Sequence, residues 1–334
     1  MKNLSNKILL AFCLTLSAGV FWQCDRAPDQ PVPVKSEEDT KIPFEQLSGT
    51  IVFRRNLVDF PDNYYFIQLD ASAQSISQIT NFDVYIPSNL ALSPDGTEIL
   101  FSYFVYKGQT RTFLWQLYSM DLNSLIAHNV SPSLFDDSYG AWSRDGMKIA
   151  FWSKRNSFSS LWLADLEHDS SFYLTDVEEV NRTRPSWYPD GEHLLFADSD
   201  SSGKPTLLQL SLSSLTRTPL YSDEQSSSNV AFKHPAISPD GKTVAFVKAF
   251  LDYTEELWTF GLESRTATRL TEGHSDWHPV WSPDGSKILF SRTRYLFLIN
   301  KDGSGLTQVT FRDDCTDEFP SWNPNLDKPD LKKK

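Results

Sequence analysis

Residues 281–290 are WSPDGSKILF: an aromatic strand end, a tight Ser-Pro-Asp-Gly turn and an apolar strand leaving it. Proline pre-sets the backbone of such a turn, aspartate bonds to it locally, and glycine takes the positive φ that other residues resist. The pattern recurs as LSPDGTEILF from 92, WSRDGMKIAF from 142, WYPDGEHLLF from 187 and ISPDGKTVAF from 237, and a shortened form, WNPNLDKP, begins at 322. Aligned on Asp95, Asp145, Asp190, Asp240 and Asp284, the copies stand 50, 45, 50 and 44 residues apart. A period of about 40–50 residues, with several short strands in each unit, is the mark of propeller blades.

Each copy divides into four strands. Strand A ends at Trp142, Trp187 or Trp281, with Leu92 and Ile237 at the same place, and strand B is EILF, KIAF, HLLF, TVAF or KILF. Strand C follows as FLWQLYSMDL, SLWLADL, LLQLSL, ELWTFGL and YLFLINKDG, and strand D is clearest in FYLT, TRLT and TQVT. Several of these are apolar on both faces, as a sheet wedged between two others requires. Trp115, Trp162 and Trp258, on strand C, are expected in the core between blades. Residues 49–80 supply GTIVFRR, NYYFIQLD and SQIT, a B, C and D without an A, while EFPSWN at 318–323 is an A without a remainder. Joined, they leave no sheet edge open where the ring meets itself. The fold expected is therefore all-β, a six-bladed β-propeller whose first blade combines N-terminal strands B, C and D with a C-terminal strand A, over residues 49–325.

The repeats RPSWYPDGEHLLF, HPVWSPDGSKILF and YLFLINKDGSGLTQVTF resemble the propeller repeats of the TolB family, periplasmic proteins of the Tol-Pal envelope system. The resemblance implies a cell-envelope binding module. That family carries an α/β domain ahead of its propeller, and residues 25–48 are too few for one. No G-x-S-x-G nucleophile elbow is present, so the peptidase activity that accompanies some propellers is not expected. The repeats also resemble those of the oligogalacturonate lyases, seven-bladed proteins that use histidines for metal, which makes a metal-dependent carbohydrate-active enzyme the alternative.

The chain's beginning points to export. Lys2 and Lys7 precede ILLAFCLTLSAGVFW, too short for a membrane-spanning helix but suited to a signal core over residues 1–23. Cys24 then opens a polar, proline-rich stretch, read as a disordered tether over 24–48, and is the candidate for lipidation in a periplasmic or membrane-anchored lipoprotein. Trp22 and Gln23 stand where lipoproteins carry small residues, so ordinary cleavage near Ser17–Gly19 and an uncleaved anchor stay open. Without the signal the chain has 29 basic against 43 acidic residues, a balance that excludes nucleic acid as a partner. Residues 326–334 form a basic tail, and a monomer is expected.

Counting three residues back from the end of each strand A gives Asn89, Tyr139, Arg184, His234, His278 and Phe319, which should ring one mouth of the channel. As a binding mouth for an envelope protein or peptide, Tyr139 and Phe319 would stack while Arg184 fixed an anionic group. They would otherwise only fill the entrance. His234, His274, His278 and Asp276 are of the types that could hold a divalent metal, although no cofactor is the primary expectation. Acidic residues crowd the loops entering strand A: Asp136, Asp137, Asp176, Glu178, Glu179, Asp223, Glu224, Asp313, Asp314, Asp317 and Glu318. They predict either a solubilising surface or a negative face that steers a basic peptide or binds calcium.

Overall fold

The computed structural model describes residues 22–23, 37–59, 64–80, 87–107, 112–155, 159–176, 183–200, 202–223 and 230–323. Its strands form six antiparallel sheets, each a blade of four strands in order A to D from the channel outward. Blade 1 orders Cys315–Asn323, Thr50–Leu57, Tyr64–Asp70 and Ser75–Gln78, so strands from both ends of the chain share one sheet. Blade 2 runs Ser88–Leu92, Glu98–Lys107, Thr112–Asp121 and Ile126–Asn129, with Trp22–Gln23 paired on its outer edge. Blade 3 runs Asp137–Trp142, Lys148–Ser153, Ser160–Asp165 and Ser170–Asp176; blade 4 runs Ser186–Trp187, His193–Ser199, Pro205–Ser211 and Arg217–Ser222. Blades 5 and 6 begin with Val230–Ile237 and Asp276–Trp281. Among the described residues no helix is long and apolar enough to cross a membrane.

Six apolar layers separate the blades. Between blades 2 and 3, for example, Leu100 and Leu117 meet Ile149 and Phe151, while between blades 6 and 1, Leu289 and Leu298 meet Ile51 and Leu69. In strand Lys148–Ser153, Ile149, Ala150, Phe151 and Trp152 are all buried, because alternate side chains feed the layers on either side. Trp162 and Trp258 pack against these layers. Trp115 instead joins Phe104 and Phe113 on the long hairpin of blade 2.

The repeated turn is a hydrogen-bonded unit. In the 282–286 copy, Ser282 Oγ donates to Asp284 Oδ1 at 2.6 Å, the same oxygen accepts from Ser286 N at 3.0 Å, and Gly285 holds φ at 69°. The strand A indoles then bolt blade to blade. Trp142 Nε1 donates to Ala91 O at 3.2 Å, Trp187 to Ala141 O at 3.0 Å, and Trp281 to Ala236 O at 3.0 Å. Where Leu92 and Ile237 replace tryptophan, their backbone N–H groups donate instead to Ser321 Oγ and Ser186 Oγ of the preceding blade, at 2.9 and 3.1 Å.

The packed unit begins before residue 49. Short 3₁₀ turns at Glu37–Lys41 and Phe44–Gln46 place Ile42, Phe44 and Leu47 against the layer between blades 6 and 1. That part of the expected tether has enough apolar side chains to be held. Cys24, residues 1–21 and the basic tail 326–334 lie outside the described residues.

Candidate functional site

In an antiparallel blade, the start of strand A lies beside the end of strand B, opposite the Asp-Gly turns. Asp276 accordingly pairs with Arg292, and Asp317 with Arg55. Between these pairs and the tryptophan, strand A is irregular. Asn89, Tyr139, His234, His278 and Phe319 all take left-handed φ of 50–58°, each where the register of strands A and B shifts. The bulge turns the side chain off the sheet. A non-glycine residue in this region costs about 1–3 kcal/mol. Because Tyr139 bears the same strain but does not line the channel cavity, the strain belongs to the blade and does not by itself mark a site.

Five of the six expected ring residues share one cavity: Asn89, Arg184, His234, His278 and Phe319, with the prolines that follow His234, His278 and Phe319. It holds about 20 Å³, enough for one or two waters or one small polar group. Tyr139 packs against the layer between blades 3 and 4, where strand A of blade 4 is only two residues long. Its ring is not among those lining the channel cavity. The Phe319 ring lies tilted against that of His278, 4.1 Å between centroids, and His278 lies 4.3 Å from His234.

Burial governs the charges here. It drives the pKa of His234 down to about 3, helped by Lys233 and Arg184, and holds His278 well below the ordinary imidazole range, helped by His234, Arg184 and Arg54. Both rings are therefore neutral at physiological pH. His278 Nδ1 is buried with no hydrogen-bond partner among the described residues. Arg184 remains a cation, its pKa lowered to about 10 by burial, and donates from Nη1 to Leu90 O at 2.6 Å.

The four candidate metal ligands do not converge. Asp276 has no exposed surface and accepts from Arg292 Nε and Nη2 at 2.6 and 2.8 Å, so its carboxylate is already neutralised. His274 is exposed on the loop ahead of strand A, where its carbonyl accepts from Glu255 N. Among the described residues no three His, Cys, Asp or Glu side chains are grouped to hold a metal.

The repeats that build this mouth match a family model described as the TolB beta propeller domain over residues 63–326. The chain belongs to the TolB β-propeller family. It is 32% identical over 158 residues to the "Tol-Pal system protein TolB" of Anaeromyxobacter dehalogenans, covering 46% of this chain and 31% of that one. Against the "Protein TolB homolog" of Chlorobium chlorochromatii it is 28% identical over 175 residues, 51% of this chain and 36% of that one. These matches span only about a third of the length of the curated relatives. The crystal structure of TolB from Acinetobacter baumannii superposes with a TM-score of 0.70 at 18% identity, over 83% of this chain and 67% of that one, which fixes the fold.

On this TolB-type scaffold the acidic loops are largely neutralised from within. Asp137 is buried against Arg155 at 2.8 Å, Asp317 against Arg55 at 2.7 Å, and Asp314 meets Arg312 at 2.6 Å. Asp223 pairs with Lys248, Glu318 with Arg54, and Asp136 lies 3.7 Å from Lys154. Asp313 accepts from Tyr295 Oη, Asp176 is exposed, and Glu178, Glu179 and Glu224 lie outside the described residues. Sequence reading also passed over Arg54, whose guanidinium lies 4.7 Å over the Phe319 ring and donates to Pro87 O at 2.9 Å. Its signal was the doublet Arg54-Arg55 inside an otherwise apolar strand B. The buried carboxylates had a signal too: DSYGAW, DWHPVW and DEFPSW each place Asp five residues before Trp.

Proposed function

We propose that the chain is a non-catalytic cell-envelope propeller that holds a protein or peptide against its channel-mouth face. The observation carrying this reading is where the exposed apolar side chains lie. Tyr106 and Phe113 flank the B–C hairpin tip of blade 2, Leu134 and Phe135 sit in the loop entering blade 3, and Leu251 and Tyr253 form the B–C turn of blade 5. All are at the mouth end of their blades, and Leu134, Leu251 and Tyr253 are 64%, 68% and 87% exposed. Blades 2 and 5 lie three steps apart in a ring of six, so the apolar tips stand on opposite sides of the opening. Met147, Leu166, Leu215 and Leu306 are exposed at the other end, but the three most exposed apolar side chains all lie at the mouth, which favours a partner that lies across it. The cavity beneath has room for a small polar group of that partner.

Export, lipidation of Cys24 and a monomeric state complete the reading, supported by the apolar N-terminal run and the Tol-Pal names of the relatives. A photo-crosslinking residue placed in cells at Tyr253 or Phe113 is expected to give protein adducts. The same probe at Leu215 or Leu306, in C–D turns on the opposite face, is expected to give none. Adducts from both faces alike, or from neither, overturn the reading. Fatty-acid labelling lost in Cys24→Ser tests the anchor separately.

A further inference from the structure

We propose that the channel cavity is a carboxylate site in which Arg184 receives one carboxylate group from the bound partner. This deepens the proposed function and rests on its reading of the mouth as the docking face. The buried arginines Arg54, Arg55, Arg292 and Arg312 each meet a carboxylate: Glu318, Asp317, Asp276 and Asp314. Arg184 has no such counter-ion among the described residues. Its one hydrogen bond goes to Leu90 O, leaving most of the five N–H donors of a guanidinium unused. The fold pairs its buried arginines with carboxylates, whereas the half-buried Arg184 faces an open cavity with most of its donors free for a ligand.

The surroundings select the ligand. Lys233 and Arg54 also bear on the paired histidines, but each is matched by a carboxylate, Glu255 and Glu318, so Arg184 is the cation at the mouth left without one among the described residues. His234 and His278, being neutral, cannot serve as anions, but each can donate one N–H. The amide of Asn89 lies on the same cavity. A planar carboxylate matches the guanidinium fork with two parallel hydrogen bonds. The space of about 20 Å³ suits such a group at the end of a side chain or a peptide, with the body of the ligand remaining outside.

The test is thermal unfolding of the full-length chain in sodium acetate against sodium chloride at equal ionic strength. Acetate is expected to raise the midpoint saturably and chloride not to. Arg184→Gln, which removes an uncompensated charge, is expected to unfold no lower than wild type in chloride and to lose the acetate response. Asn89→Asp, which supplies a carboxylate inside the cavity, is expected to raise the midpoint and abolish the response even if Arg184→Gln does not fold. Equal shifts in chloride, no shift in acetate, or a shift that survives in the variants overturns the proposal. A short peptide with a free C-terminus, its amide, and an amidated peptide containing glutamate then separate a terminal from a side-chain source. Acetate failure with mouth-face crosslinks intact removes only the carboxylate site, whereas acetate binding without crosslinks removes only the docking face.

Discussion

Replacing Asp276 by alanine separates two accounts of this carboxylate, a ligand waiting for a metal or one half of a structural ion pair. The structure supports the second: both oxygens accept from Arg292, at 2.6 and 2.8 Å, and neither has exposed surface. Removing one partner of a buried pair leaves an uncompensated charge and costs about 3–5 kcal/mol. For a domain of this size, about 2–4 °C per kcal/mol puts the melting midpoint about 6–20 °C lower. Adding Arg292→Met removes the stranded charge, so the double variant is expected to recover most of the loss. The exposed pair Lys242–Glu263, 3.4 Å apart, provides the control, and Lys242→Ala is expected to cost under about 1 kcal/mol. The assay is thermal or urea unfolding with and without EDTA. A midpoint for Asp276→Ala within a degree of wild type, or wild type reproducing the loss on adding EDTA, refutes the ion-pair account.

Three further outcomes follow from the packing and the charges. Gly140→Ala would set its Cβ 2.6 Å from Leu100 Cδ2, and overpacking of that kind costs about 1–3 kcal/mol in urea unfolding; an unchanged midpoint would show that the layer between blades 2 and 3 yields freely. Trp281→Phe keeps most of the ring but deletes the donor to Ala236 O, with an expected loss of about 1–2 kcal/mol read by the same assay. His234 and His278, beside Lys233, Arg184 and Arg54, take up protons in the unfolded chain below about pH 6.5 while staying neutral in the folded one. Their stability contribution is intact above that pH and falls as the pH drops, for His234 down to about 3, by up to about 1.4 kcal/mol per unit for each ring. His234→Leu is expected to flatten the slope, and an identical slope in the variant would exclude that ring as its source.

Local pattern and long-range pairing were unequally legible in the sequence. The Asp-Gly turn is built from residues within five positions of one another, so five copies of it revealed five blades and their spacing. The ring positions also followed from a fixed offset to strand A, because every blade repeats the same strand geometry. What the offset could not show is where each side chain goes. Tyr139 has the backbone of a ring residue, yet its ring packs against the layer between blades 3 and 4, whose core includes Leu194 and Phe196 of the next blade. Asp276 looked like a ligand beside two histidines because its partner Arg292 becomes adjacent only when strands A and B are in register.

The same register explains how the site can vary without loss of the fold. In blades 1, 3 and 6, strand A carries an aspartate, then the ring residue two positions later, then a tryptophan three further on: Asp317, Phe319 and Trp322; Asp137, Tyr139 and Trp142; Asp276, His278 and Trp281. The aspartate is fixed by a buried arginine or by Arg155 at the rim, and the indole by a backbone carbonyl, so both ends of the bulge are held by neighbours of the ring residue. The ring side chain therefore needs to contribute little to holding its own strand. This accounts for Asn, Tyr, Arg, His, His and Phe at equivalent positions of one repeat. Blade 4 departs furthest, with strand A reduced to Ser186–Trp187, and it is there that the ring residue is Arg184, the cation that faces an open cavity and meets no counter-ion among the described residues.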